Sequence, residues 1–198
     1  MKGFSELLGD IGAAIDNGTL SLLGASLRVA EHIQGQLGCS RVSLWVVESE
    51  GPSGPRVMRR LGGFDGDSGT PVAEPLVLDG LRLDDYFDTL TGQGVYASHD
   101  AWADPRLQAM VAGYLMPNDI RSALYAAIGV NGSTWGVLCC TQLGQTRQWT
   151  PNEVRLLKRF ADAISVRRAR RRRREAEAQS LMQRLLRPHL QPSDTPTR

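Results

Sequence analysis

Three groups of residues in this 198-residue chain have side chains and spacings that could carry chemistry. His99-Asp100, followed by Asp104-Pro105-Arg106, sets an imidazole beside two carboxylates, the raw material of a proton relay or a metal site. Three ligands within six residues would be cramped, and no other histidine lies nearby in sequence. Asp104 is better read as a helix cap ahead of a proline at the first helical position, and His99 with Asp100 as a loop-fixing hydrogen-bond pair. Cys139-Cys140 falls in a strand-like run, where neighbouring side chains point to opposite faces. A disulfide between the two is therefore not expected: one thiol should face a cavity and the other a helix layer, both buried and inert. The third group is cationic: seven of the 23 basic residues fall between Arg167 and Arg174, although the net charge is only +2.

The cysteine count excludes more than it suggests. Cys39, Cys139 and Cys140 make neither a disulfide framework nor the paired spacing of a zinc site, so a reducing cytoplasm is the expected compartment and no metal is expected. Glu6, Asp10 and Asp16 interrupt the first apolar positions, which argues against a secretory leader, and no run approaches the roughly 18 apolar residues of a membrane span.

Helical and strand periods alternate along the chain. Phe4, Leu7, Leu8, Ile11, Ala14 and Ile15 recur at helical spacing up to Asn17-Gly18. Thr19 is positioned to cap a second helix with the stripe Leu20, Leu23, Leu27, Ala30, Ile33 and Leu37, closed by Gly38. From Arg41 to Val47 the period is two: Val42, Leu44 and Val46 on one face, Trp45 and Val47 on the other, hence a central strand. Arg56–Leu61 reads as a second strand, GGFDGDSGTP as a Gly/Asp-rich loop, Leu83–Leu90 as a helix and Gly94–Ser98 as a short strand. Asn131-Gly132 between Ser122–Val130 and Ser133–Thr141 supplies the positive φ angles of a two-residue hairpin. Thr150-Pro151-Asn152-Glu153 is a capping box with proline at the first position, opening a helix to about Arg187 that would reach about 55 Å. The order αα-ββ-α-β-α-ββ-α implies an α+β domain: one antiparallel sheet with helices on both faces, plus a long C-terminal helix.

The text DYFDTLTGQGVYASHDAWADPR, then IRSAL, GVL and RQWTPNE in that order, resembles GAF domains of bacterial signalling proteins, in a subgroup with an HDAxxDPR turn and an RxWTPxE helix start. The resemblance runs over roughly 140 residues and implies a GAF domain at 19–165, preceded by a helix at 1–18 and followed by an Arg-rich linker or dimerisation helix at 166–187 and a disordered tail at 188–198. In this family a ligand sits between the sheet and the helices and loops covering it. That implies a candidate pocket of Tyr86, Phe87, Tyr96, Trp102, Leu107 and Tyr114 on the lid, with Trp45, Ser122, Leu124, Leu138 and Cys140 on the strands. An aromatic cavity with a few hydroxyls suits a small organic molecule, while plain core filling explains the same residues. The ligand, and any cofactor, stays unknown. The chain departs from its subgroup at Tyr125 and Ala127, where relatives carry Asp and Pro, and at Cys139-Cys140-Thr141-Gln142-Leu143-Gly144, where they read CHEHxG. A relative's ligand therefore does not transfer.

The resemblance implies a sensory or regulatory module in signal transduction, not an enzyme. Some GAF domains reduce free methionine sulfoxide with cysteines on separate segments, so a thiol-dependent reductase is the alternative, and a ligand-free dimerisation scaffold is another. Bilin attachment in GAF photoreceptors uses a lid cysteine next to a histidine, and no Cys-His pair occurs here. Leu157, Phe160 and Ile164 continue at helical steps to Arg167, Arg171 and Arg174, then Ala178, Leu181 and Leu185: a homodimer seam of coiled-coil type with a cationic, switchable middle. Nucleic acid or an acidic membrane would also answer to Arg167–Arg174, though a solvated signalling linker accounts for the run without either. The last segment, EAEAQSLMQRLLRPHLQPSDTP, resembles the linker that enters PPM-type serine/threonine phosphatase domains, which implies a sensory fragment, or a stand-alone regulator that kept such a linker, working with an output domain or protein partner.

Overall fold

The computed structural model describes residues 3–49, 54, 56–79, 83–130 and 132–186. Helices α1 (Phe4–Asp16) and α2 (Leu22–Leu37) lead into β1 (Arg41–Ser49) and β2 (Arg56–Asp65), and the short strands β3 (Thr70–Val72) and β4 (Val77–Leu78) both pair with β2. Then come α3 (Asp84–Gln93), β5 (Val95–Ser98), a lid of short turns, the hairpin β6 (Ile120–Val130) and β7 (Ser133–Leu143), and α5 (Pro151–Leu186). The lid consists of a 3-10 turn (Pro105–Leu107), the single α turn α4 (Gln108–Met110) and a π turn (Val111–Leu115). The strands form one antiparallel sheet in the order β3-β2-β1-β7-β6-β5. This is the α+β architecture expected, with β1 central.

Strand alternation gives the sheet two different faces. Val42, Leu44, Leu124, Leu138 and Cys140 pack under α1, α2 and α5 with Val29, Ile33, Leu157 and Phe160. Trp45, Tyr125, Val137 and Cys139 pack under α3 and the lid with Tyr86, Phe87, Leu107 and Leu115.

Several local expectations change. Ser21, not Thr19, caps α2, its Oγ accepting the Gly24 N–H at 3.0 Å; Thr19 is held by the Asx turn of Asn17 instead. The buried stripe of α2 is Ala25, Ser26, Val29, Ala30, Ile33 and Leu37, while Leu23 is partly exposed with one methyl over Gly62. The helix is turned so that small residues meet the sheet at Gly62, where a Cβ would run into the Ser26 hydroxyl and the Leu23 and Leu27 methyls. That close approach explains why Gly62-Gly63 belongs to β2 and not to a loop: the strand continues to Asp65 and turns at Gly66–Gly69. At the β6–β7 turn Gly132 has φ +74°, as the hairpin requires, while Asn131 lies outside the described residues. The proposed tail at 188–198 also lies outside them.

Candidate functional site

All four tyrosines of the chain converge in the core between the sheet and the lid. Asp84 and Asp85 open α3 at its dipole-positive end, and helical spacing turns Tyr86, Phe87 and Leu90 inward. Tyr125 projects from β6 and meets Tyr86 edge-on at 5.1 Å between centroids; Tyr96 lies nearly parallel to Tyr125 at 6.3 Å. Trp45 and Tyr114 make a further edge contact at 5.8 Å. The Tyr96 hydroxyl donates to Asp104, whose other oxygen accepts the Arg106 N–H at 3.0 Å, so one carboxylate caps the lid turn and ties it to β5. The Tyr86 and Tyr125 hydroxyls are buried with no hydrogen-bond partner among the described residues. Burial pushes both phenols well above their ordinary range, so they stay protonated and remain donors.

Of the eleven predicted pocket residues, Trp45, Tyr86, Phe87, Tyr96, Leu107 and Tyr114 meet in this lid core. Trp102 stands at its edge beneath the Arg121 guanidinium, 4.1 Å from the ring centre. Leu124, Leu138 and Cys140 do not join it: they point into the helix-side core, because they have the opposite strand parity from Tyr125 and Cys139. Ser122 is fully buried in a backbone network, donating to the His99 carbonyl at 2.6 Å and accepting the Arg147 N–H at 2.7 Å. Tyr125 and Cys139 join this core outside the predicted set: strand alternation reaches the thiol from Trp45 only through the β1–β7 register, which pairs Trp45 with Val137.

The three thiols are all buried. Burial pushes the Cys139 thiol far up, and burial with the Cys39 contact raises Cys140. The Cys39 Sγ donates to the Arg41 carbonyl at 3.5 Å, and the neighbouring Cys140 thiol, outweighing burial, with the Arg147 charge adding to it, lowers Cys39. All three cysteines are free.

His99 and Asp100 fix loops, but through other partners. The His99 Nδ1 accepts the Trp149 N–H at 3.1 Å, and Trp149 Nε1 donates to the Ser98 carbonyl at 3.2 Å. Asp100 accepts the Trp102 N–H at 3.2 Å and faces Arg121 at 3.8 Å. One residue group thus joins the lid entrance to the start of α5. Arg147 extends it, donating to the Leu37 and Gly38 carbonyls at 2.8 and 2.9 Å and pairing with Glu153. Glu153 in turn accepts from the N–H and hydroxyl of Thr150 at 2.7 and 2.8 Å, the reciprocal capping box.

The arginine run is divided. Arg167 donates to the Gly9 carbonyl at 3.1 Å and Arg171 pairs with Asp16 at 3.2 Å, so α1 covers this part of the expected seam within the chain. Phe160 likewise meets Phe4 edge-on at 4.4 Å, and Arg168 lies over Trp135. Arg170, Arg172, Arg173 and Arg174 are exposed, as are Leu181 and Met182 beyond them. Among the described residues no helix is long and apolar enough to cross a membrane, and no three potential metal-ligating side chains gather.

A helix layer on one face of the sheet and an aromatic core under a lid on the other make this an α+β domain with a lidded sheet. The GAF domain family model matches residues 21–167, and the chain belongs to the GAF family. Solved structures with this fold include the phycocyanobilin-bound GAF domain of a cyanobacterial phytochrome, 17% identical with a TM-score of 0.63, over 86% of this chain and 96% of that one. The phycoerythrobilin-bound GAF domain of a cyanobacterial phytochrome is 15% identical with a TM-score of 0.60, over 84% and 94%. The blue-light-absorbing form of the PixJ GAF domain of Thermosynechococcus elongatus is 18% identical with a TM-score of 0.56, over 89% and 95%. No curated protein sequence matches the chain significantly.

Proposed function

We propose that this chain is a cytoplasmic, non-catalytic sensory GAF module, in which occupancy of the lid core by a small molecule alters the 99–104 segment and, through it, the terminal helices. The observation that carries this reading is the bond from the Trp149 backbone to His99, which ties the 99–104 segment to the residues that lead into α5. Beyond the contact with Asp16, α5 runs on with exposed Arg174, Ala178, Leu181 and Met182. A lone helical extension of about this length is marginal in water, so a second copy pairing along that stretch is the proposed homodimer and the point of contact with an output domain.

The bilins named for the structural neighbours do not fit this chain. The segment from α3 through the lid, residues 84–119, contains no cysteine, and Cys139, the thiol in the lid core, is 2% exposed on the sheet. The same placement speaks for a non-catalytic role over a thiol-dependent reductase, since Cys140 and Cys39 lie on the other side of the sheet.

Native mass spectrometry of protein purified from its source would identify a retained molecule. Adding it to the stripped protein should change hydrogen exchange across residues 151–183 and the dimer Kd. Neither quantity moving with any ligand that binds would sink the proposal.

A further inference from the structure

We propose that the lid core takes a planar, uncharged aromatic group with a hydrogen-bond acceptor at its inner end. This group is admitted past Tyr96 from a crevice that selects a cationic substituent at the outer end. The inference rests on the sensory reading above and names the ligand class for that site.

The inner end follows from two donors without acceptors. Tyr86 and Tyr125 are 0% and 3% exposed, their rings touch, and neither hydroxyl has a partner among the described residues. Buried polar groups are otherwise almost always satisfied, so an acceptor that reaches the two hydroxyls would answer both. The group at this inner end should be uncharged, because Tyr86 and Tyr125 are buried and a charge beside them would lose its hydration. It should be flat, because Tyr96 and Tyr125 are within 9° of parallel and a ring can replace the Tyr96 face against Tyr125.

The outer end follows from the surface above Tyr96. A crevice of about 470 Å³ is lined by Asp85, Asp88, Thr89, Pro105 and Arg106. Arg106 lies over the Tyr96 ring at 5.9 Å, so Tyr96 stands between this crevice and Tyr125. Asp104 is occupied by the Tyr96 hydroxyl and the Arg106 N–H, whereas the exposed Asp85 and Asp88 line the crevice with one cationic side chain, Arg106. The local balance favours a cation. Release of the Tyr96 hydroxyl from Asp104 swings the ring and opens the way inward.

The test uses the full chain and three probes of one shape: 4-(aminomethyl)benzamide, benzamide and 4-carboxybenzamide, followed by calorimetry and by the tyrosine ring signals in NMR. The cationic probe should bind at least about tenfold more tightly than the anionic one and shift the Tyr86, Tyr96 and Tyr125 signals. Y86F/Y125F should weaken it about tenfold, and D85N/D88N should shrink its advantage over the anion. No shift of these rings with any probe, or equal affinity for both charged probes, would overturn the proposal. D85N/D88N alters exposed side chains and so keeps the test sharp even if the tyrosine variant folds poorly. Probe binding without altered exchange in α5 would refute the signalling reading alone. A purified natural ligand that moves α5 while leaving Tyr86 and Tyr125 unshifted would refute this inference alone.

Discussion

His99 and Trp149 are 50 residues apart, yet the imidazole Nδ1 accepts the Trp149 backbone N–H at 3.1 Å. Accepting at Nδ1 requires the tautomer protonated at Nε2. Replacing His99 by Ala leaves the Trp149 N–H without that acceptor, at a cost of about 1 kcal/mol. Urea unfolding should register that loss, and hydrogen exchange should quicken at residues 149–155 ahead of the rest of α5. Unchanged exchange there would remove His99 from the coupling.

Acid should weaken the fold through Glu153 and Asp65. At both sites burial opposes the charged form but is outweighed, by Thr150 and Arg147 at Glu153 and by Ser68 and Arg41 at Asp65, which leaves each carboxyl below its ordinary range. A depressed folded value means the stabilisation is complete above the unfolded value of about 4 and is lost as pH falls through the folded one. Unfolding free energy should therefore fall below about pH 4, and E153Q should lose part of that dependence. A pH profile identical to that of the parent protein would contradict the assignment.

Gly12 lies under the Arg167 guanidinium, where a Cβ would collide with it. Gly12→Val should expel Arg167 from the Gly9 carbonyl and raise exchange across residues 4–16. Because the bond is exposed, the stability loss should stay at or below about 1 kcal/mol. Protection of α1 equal to that in the parent chain would show that apolar packing of Phe4 and Ile11 alone holds the helix.

Tyr125→Phe removes a hydroxyl that is buried without a partner among the described residues, so in the ligand-free protein it should be neutral or stabilising by about 1 kcal/mol. A thermal melt checks this. A loss of 2 kcal/mol or more would mean that the hydroxyl has a partner in solution.

The parts legible in the sequence were those governed by neighbours a few residues away. Gly38 at φ +57°, Gly132 at φ +74°, the Asp104 cap and the Thr150–Glu153 box all follow from local backbone geometry and short-range hydrogen bonds. Periodicity located the hairpin and the long helix for the same reason, and the lid aromatics were recognised as one cluster.

Long-range packing decided the rest. Leu138, Cys139 and Cys140 are similar in polarity, so composition could not say which thiol lay under the lid; the β1–β7 register, pairing Val42 with Cys140, settled it. Gly62-Gly63 looked like a loop because the helix that needs its missing side chains, α2, is distant in sequence. The arginine seam looked free because Gly9 and Asp16, which take up Arg167 and Arg171, come from the opposite end of the chain. The sequence by itself determined the β6–β7 turn, the Asp104 and Thr150 caps and the family. Only the tertiary structure showed which face each strand residue serves and which charges are already engaged, since both depend on contacts between segments that carry no mark of one another.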